Sequence, residues 1–109
     1  MLIQKGYEVL GLDCGYFSNN LLEKYDDNYE KVFKDLRDVT EKDLNNIDGI
    51  IHLAGLSNDP LGEFSPKLTQ DINYLGTMNL ANLAKKVGVK RFVYSSSQSM
   101  YGVSNSTKE

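Results

Sequence analysis

Apolar residues occur along this chain in short clusters separated by polar turns, with one long stretch at helical spacing. Leu2 and Ile3, followed by Lys5 and Gly6, predict the last turn of a helix, with a cation at its negative end and glycine in a left-handed cap. Val9, Leu10 and Leu12 predict a strand over residues 8–13 that ends on Asp13. Residues 15–30 are polar and carry Tyr16, Tyr25 and Tyr29; within them Leu21-Leu22-Glu23-Lys24 suits a helical turn. Val32 and Phe33 predict a second strand over residues 31–36. Thr40 with Asp43 three residues on forms an N-cap pair for a short helix ending near Asn46. Residues 49–53 predict another buried strand, and Asn58-Asp59-Pro60 marks a turn in the loop over residues 56–65.

Ser65-Pro66 opens the longest helix, a cap residue followed by proline in the first turn. Leu68, Ile72, Leu75, Gly76, Leu80, Leu83, Ala84 and Val87 fall on one broad face, and Lys85, Lys86 and Gly88 close the helix. Asn73 lies at the margin of that face and Asn79 near its centre. Buried amides need partners, so each binds neighbouring backbone or helps shape a ligand site. Phe92, Val93 and Tyr94 then predict a buried parallel strand that stops abruptly at Ser95-Ser96-Ser97.

The order strand, strand, helix, strand, long helix, strand is the middle of a doubly wound α/β sheet. Ligands of such sheets bind beyond the carboxyl ends of the strands. The three hydroxyls at residues 95–97 either close a polar turn there or hydrogen-bond a ligand. Ala54-Gly55 makes either a tight turn or room for a ligand to approach the backbone.

Composition narrows the classes. With 109 residues there is room for one domain (1–109) and for a real core. Twelve Lys and Arg against 15 Asp and Glu give a net charge of −3 and no basic cluster, which points away from nucleic acid. Apolar runs are too short to span a membrane, and the N-terminus lacks the pattern of a signal peptide. Cys14 is the only cysteine, which forbids an internal disulfide and suits the cytoplasm. It suits a small residue near a strand end better than a nucleophile. His52 is the only histidine, so neither a histidine metal cluster nor a Ser-His-Asp triad can be assembled from this chain. It suits a buried, hydrogen-bonded imidazole.

Residues 85–102 (Lys-Lys-Val-Gly-Val-Lys, then Arg-Phe-Val-Tyr-Ser-Ser-Ser-Gln-Ser-Met-Tyr-Gly) carry a resemblance. They resemble the fifth strand region of extended short-chain dehydrogenase/reductases, in particular the NAD-dependent epimerase/dehydratase group that acts on nucleotide sugars. Gly6-Tyr7-Glu8-Val9 leading to Asp13, Ile50-Ile51-His52-Leu53-Ala54-Gly55, and Asn73-Tyr74-Leu75-Gly76-Thr77 match the same family in the same order. The resemblance implies a partial Rossmann-like doubly wound parallel sheet, made of the second to fifth strands with their helices. It implies NAD as cofactor, held by Asp13, Asp35, Leu36, Leu53, Ala54, Gly55, Asn73 and Ser95. Asp13 would accept hydrogen bonds from the adenosine ribose, and no Arg lies between Met1 and Glu30 to welcome a 2′-phosphate. Asp35 would face the adenine amino group, with Leu36 near the ring. Lys34 stands where the family often has glycine. Ser97, third in its run, matches the serine that assists the catalytic tyrosine. The implied partner is a nucleotide sugar, and family members are often homodimers.

Two family features are missing from the sequence. No Gly-x-x-Gly-x-x-Gly occurs, and no Tyr-x-x-x-Lys; Tyr101 matches the family's earlier Tyr-Gly and is followed at that spacing by Asn105. In the strand order 3-2-1-4-5-6 the absent first strand belongs between residues 8–13 and 49–53, at the centre of the sheet. The two remaining pairs must close that gap or leave inner edges unpaired. The expectation is therefore a marginal, inactive fragment of an epimerase/dehydratase. Its rivals are a non-catalytic dinucleotide-binding module of the same fold and a truncated, non-functional gene product.

Overall fold

A computed structural model describes residues 1–18, 28–57 and 63–97. Strands β1 (Leu10–Asp13) and β2 (Glu30–Phe33) pair in parallel, with Leu12 opposite Val32. Strands β3 (Gly49–His52) and β4 (Arg91–Tyr94) form a second parallel pair, with Ile50 opposite Phe92 and His52 opposite Tyr94. Among the described residues no ladder joins one pair to the other.

What joins the pairs is a layer of helix and turns. A continuous helix runs from α1 (Pro66–Thr69) through a π-helical segment (Gln70–Gly76) into α2 (Thr77–Val87). Gly88, at φ 85°, supplies the left-handed cap, as Gly6 does at φ 83° after the 3-10 turn Ile3–Lys5. Leu80 and Ala84 of α2 bury against Leu36, Val39 and Leu44, which lie in and beside the 3-10 turns Leu36–Asp38 and Glu41–Leu44. Leu12 of β1, Ile50 of β3 and Phe92 of β4 lean on the same cluster. The second of these turns is fixed as the sequence predicts: the Thr40 N–H and hydroxyl both donate to Asp43 Oδ2, at 2.8 and 2.7 Å. Lys34 Nζ adds a 2.6 Å ion pair to Asp43. Together these hold the Asp43 carboxyl down at about 2.

Four expectations need correction. The long helix is not α-helical throughout, since its middle takes π hydrogen bonding, a rare form that recurs at functional sites. Its buried stripe is narrower than the apolar spacing predicts: Leu75 is 51 % exposed, Leu68 is also exposed, and Asn79 faces solvent. The reason is that two single turns and two short strand pairs offer little surface to cover it. Strand β4 is not buried on both faces: Val93 is 56 % exposed and Ile51, beside it, 55 %. Helix and turns cover the face of Ile50, His52 and Phe92 alone. Lastly, strand β2 ends at Phe33, before the Asp35-Leu36 pair. The turns expected at residues 21–24 and 58–60, and the Tyr101-Gly102 pair, lie outside the described residues.

The core is correspondingly small. Among the described residues the buried apolar side chains are Leu36, Val39, Leu44, Leu80 and Ala84. Two substitutions check this account. Leu80→Ala removes about 2–5 kcal/mol of packing, a large part of the margin of any small domain, and is expected to abolish the helical circular dichroism. Leu75→Ala, on the sequence-predicted face but exposed, is expected to leave both spectrum and urea midpoint unchanged.

Candidate functional site

Asp13 is the last residue of β1, Asp35, Leu53–Gly55 and the serine run follow the carboxyl ends of β2, β3 and β4, and Asn73 lies on the helix. Asp13 closes β1, and its Oδ1 accepts a 2.6 Å hydrogen bond from the Gly15 N–H, which fixes the carboxylate in a tight turn at the surface. Gly15 takes φ 77°, and a side chain there would run into Phe33. Lys34 N–H donates to the Asp13 carbonyl at 2.9 Å, so the ends of β1 and β2 are tied together. Cys14 is exposed beside this turn.

Asp35 lies just past β2 and caps the next turn, its Oδ1 accepting from the Arg37 N–H at 2.9 Å. The Arg37 guanidinium returns to grip both carboxylate oxygens, Nε to Oδ1 at 3.0 Å and NH2 to Oδ2 at 2.7 Å. That fork holds the Asp35 carboxyl below its ordinary range and pushes Arg37 further up. Leu36 is 7 % exposed and presses on the helix, where a side chain added at Gly76 would meet its Cδ2 at 3.3 Å. The glycine of the Asn73-x-x-Gly76-Thr77 motif thus admits Leu36 at close range. Through this contact the half-site built on β1 and β2 touches the helix that serves the other half.

The second half-site lies past β3 and β4. Leu53, Ala54 and Gly55 leave β3 exposed, and the Ser95 N–H donates to the His52 carbonyl at 3.1 Å, which places the serine run beside them. Ser95, Ser96 and Ser97 are all exposed. Asn73 Oδ1 accepts from the Leu56 N–H and its Nδ2 donates to the Leu56 carbonyl, both at 2.8 Å. Of the two uses open to a buried amide, the structure displays the backbone one. A Cβ at Gly55 would lie 3.2 Å from Asn73 Oδ1, so a larger residue there would fit only if the amide shifted by a few tenths of an ångström, irrespective of any ligand.

His52 is the buried imidazole the sequence suggests, 3 % exposed, with Nε2 2.8 Å from Thr77 Oγ1. The Phe92 and Tyr94 rings lie 6.0 and 5.6 Å from it. Burial pushes its pKa down, so the neutral ring is the native form. Thr77 was missing from the sequence-predicted site; its place within the Asn73-x-x-Gly-Thr pattern was the available signal. Among the described residues no cluster of His, Cys, Asp and Glu could hold a metal, and no helix is long and apolar enough to cross a membrane.

Two titrations check these environments. Arg37→Ala is expected to return the Asp35 carboxyl upward toward 3.8, read by carbonyl NMR. A folded-state histidine pKa below 6.5 means the unfolded chain takes up the proton first, so stability should decline as pH falls below 6.5. His52→Gln should flatten the stability profile in that window.

The whole chain, residues 1–109, matches the family model described as "NAD dependent epimerase/dehydratase family". It is 33% identical over 104 residues to UDP-glucuronic acid decarboxylase 1 of Arabidopsis thaliana, covering 93% of this chain and 23% of that protein. To UDP-glucose 4-epimerase of Bacillus subtilis it is 33% identical over 113 residues, covering 94% of this chain and 33% of the relative. Among solved structures, an NAD-dependent NDP-hexosamine 5,6-dehydratase of tunicamycin biosynthesis superposes with a TM-score of 0.85 at 24% identity, over 97% of this chain and 34% of the other. UDP-glucose 4-epimerase of Bifidobacterium longum, solved with NAD+ and UDP, gives 0.74 at 28% identity, over the same 97% and 34%. The chain therefore spans between about a quarter and a third of the length of these relatives, and its strands and helix are part of a Rossmann-like α/β fold. On the match of its full length, the chain belongs to the NAD-dependent epimerase/dehydratase family.

Proposed function

We propose that residues 1–109 are the adenosine-binding and strand-end portion of an enzyme that epimerises, dehydrates or decarboxylates a nucleotide-linked sugar with NAD. The observation that carries this reading is that Asp13, Asp35, Leu53–Gly55 and the serine run each lie at or just past the carboxyl end of a parallel strand, where doubly wound sheets bind ligands. The residues present fit such a cofactor. Asp13 offers an exposed, oriented carboxylate to ribose hydroxyls and would repel a 2′-phosphate, which favours NAD over NADP. Asp35, held ionised by Arg37, is an acceptor for an adenine amino group. The exposed backbone of Leu53, Ala54 and Gly55, with Ser95 beside it, would line the path toward the nicotinamide. Such a cofactor, when bound, would supply a hydride acceptor and donor for a sugar carbon.

Ser97 would contribute a hydroxyl to the sugar and to the tyrosine that serves as acid and base. No Tyr-x-x-x-Lys occurs in residues 1–109, so these residues by themselves bring no proton-transfer pair and are not expected to turn over substrate. A nucleotide sugar such as a UDP-sugar is the proposed substrate class, since the similar proteins named above act on UDP- and NDP-sugars.

A chimera tests this reading. Residues 1–109 are placed within the Bacillus subtilis relative in exchange for the third that they match. The chimera is expected to bind NAD and epimerise UDP-glucose, and Ser97→Ala to lower turnover by about 10²-fold or more with NAD still bound. Undiminished turnover in Ser97→Ala would reject that serine. A chimera that binds NAD without turnover would favour a non-catalytic dinucleotide-binding module.

A further inference from the structure

The three exposed residues after β3 are held at both ends by one helix. At the near end His52, the last residue of β3, places its Nε2 2.8 Å from the Thr77 hydroxyl. At the far end the Asn73 amide pairs with both main-chain groups of Leu56, each at 2.8 Å. Two parallel hydrogen bonds to one residue fix its orientation as well as its position. Asn73 and Thr77 stand four apart, about one turn of helix, and so project to the same side. His52 and Leu56 are likewise four apart along the loop, and between them lie only Leu53, Ala54 and Gly55. Gly55 leaves the Asn73 amide undisturbed, since a Cβ there would lie 3.2 Å from its oxygen.

None of the clamping groups reaches solvent as the loop does. His52 is buried between the helix and the Phe92 and Tyr94 rings, while Asn73 and Thr77 are half-buried. The loop's shape is thus set by side chains beneath it, before any ligand arrives. The helix carries its π-helical hydrogen bonding, Gln70–Gly76, over the stretch that presents Asn73 and ends just before Thr77.

We propose that His52 and Thr77 are positioning residues: with the far end of the loop fixed by Asn73, they pre-set the backbone of Leu53, Ala54 and Gly55 for a dinucleotide without touching it themselves. This rests on the reading that the loop borders the cofactor. Pre-setting lowers the ordering cost of binding, so loss of one clamp appears both as a looser loop and as weaker affinity.

The test uses the 109-residue chain. Thr77→Val keeps the shape of threonine and removes its hydroxyl; Thr77→Ser keeps the hydroxyl. In ligand-free chain, Thr77→Val is expected to speed amide exchange at Gly55 and Leu56 about tenfold while exchange at Leu80 and Ala84 stays unchanged, with Thr77→Ser restoring the native rates. Asn73→Leu is expected to act similarly from the other end. In titrations with millimolar NAD followed by NMR, Thr77→Val is expected to weaken binding about tenfold, again with rescue by Thr77→Ser. Unchanged exchange at Gly55 and Leu56 overturns the clamp. Binding of NAD that Thr77→Val leaves unaltered overturns its role in positioning while sparing the cofactor reading. A native chain that binds no NAD overturns the purpose given to the clamp in these residues, while binding of NAD by the chimera decides the cofactor reading separately.

Discussion

Everything in this fold hangs from the contact between one helix face and two turns. Leu80 and Ala84 press on Leu36, Val39 and Leu44, and both strand pairs lean on that cluster through Leu12, Ile50 and Phe92. In a continuous sheet, hydrogen-bonded ladders hold neighbouring strands in register and helices cover what the ladders have already fixed. Here the order of dependence is reversed. Among the described residues the ladders stop within each pair, and apolar burial, which is non-directional, must set how the pairs sit on the helix. Directional contacts at the rim refine that placement: Asn73 on Leu56, Thr77 on His52, and Gly76 admitting Leu36.

The local chemistry was largely legible in the residues. Thr40 and Asp43 form the capping pair their spacing suggests, Gly6 and Gly88 occupy left-handed caps, and all four strands fall within a few residues of their apolar runs. These features depend on neighbours in the chain, which sequence displays directly. The π-helical hydrogen bonding was not legible, because Gln70–Gly76 carries an ordinary helical apolar spacing and nothing in residue type marks the register of its hydrogen bonds. Exposure was misjudged at Val93, Leu75 and Asn79 for one shared reason. Whether an apolar or amide side chain is covered depends on what stands opposite it, and periodicity reports only which side it points to.

The site divides in the same way. Motif resemblance located Asp13, Asp35, Gly55 and Ser95 at strand ends and Asn73 on the long helix, and those positions carry oriented polar groups or close backbone approaches. The partners of those groups were beyond the sequence. Arg37 curling back on Asp35, and Thr77 meeting His52 across 25 residues, arise from side-chain rotamers and from the crossing of helix and strand. Nothing in the linear order announces such meetings.

The uncovered side of β3 and β4 has its own consequence. Ile51 and Val93 sit side by side in register and half-exposed, and among the described residues each ladder has only two strands. A strip of that kind is adhesive toward any extended chain of similar character. At high concentration such strips favour self-association of the chain.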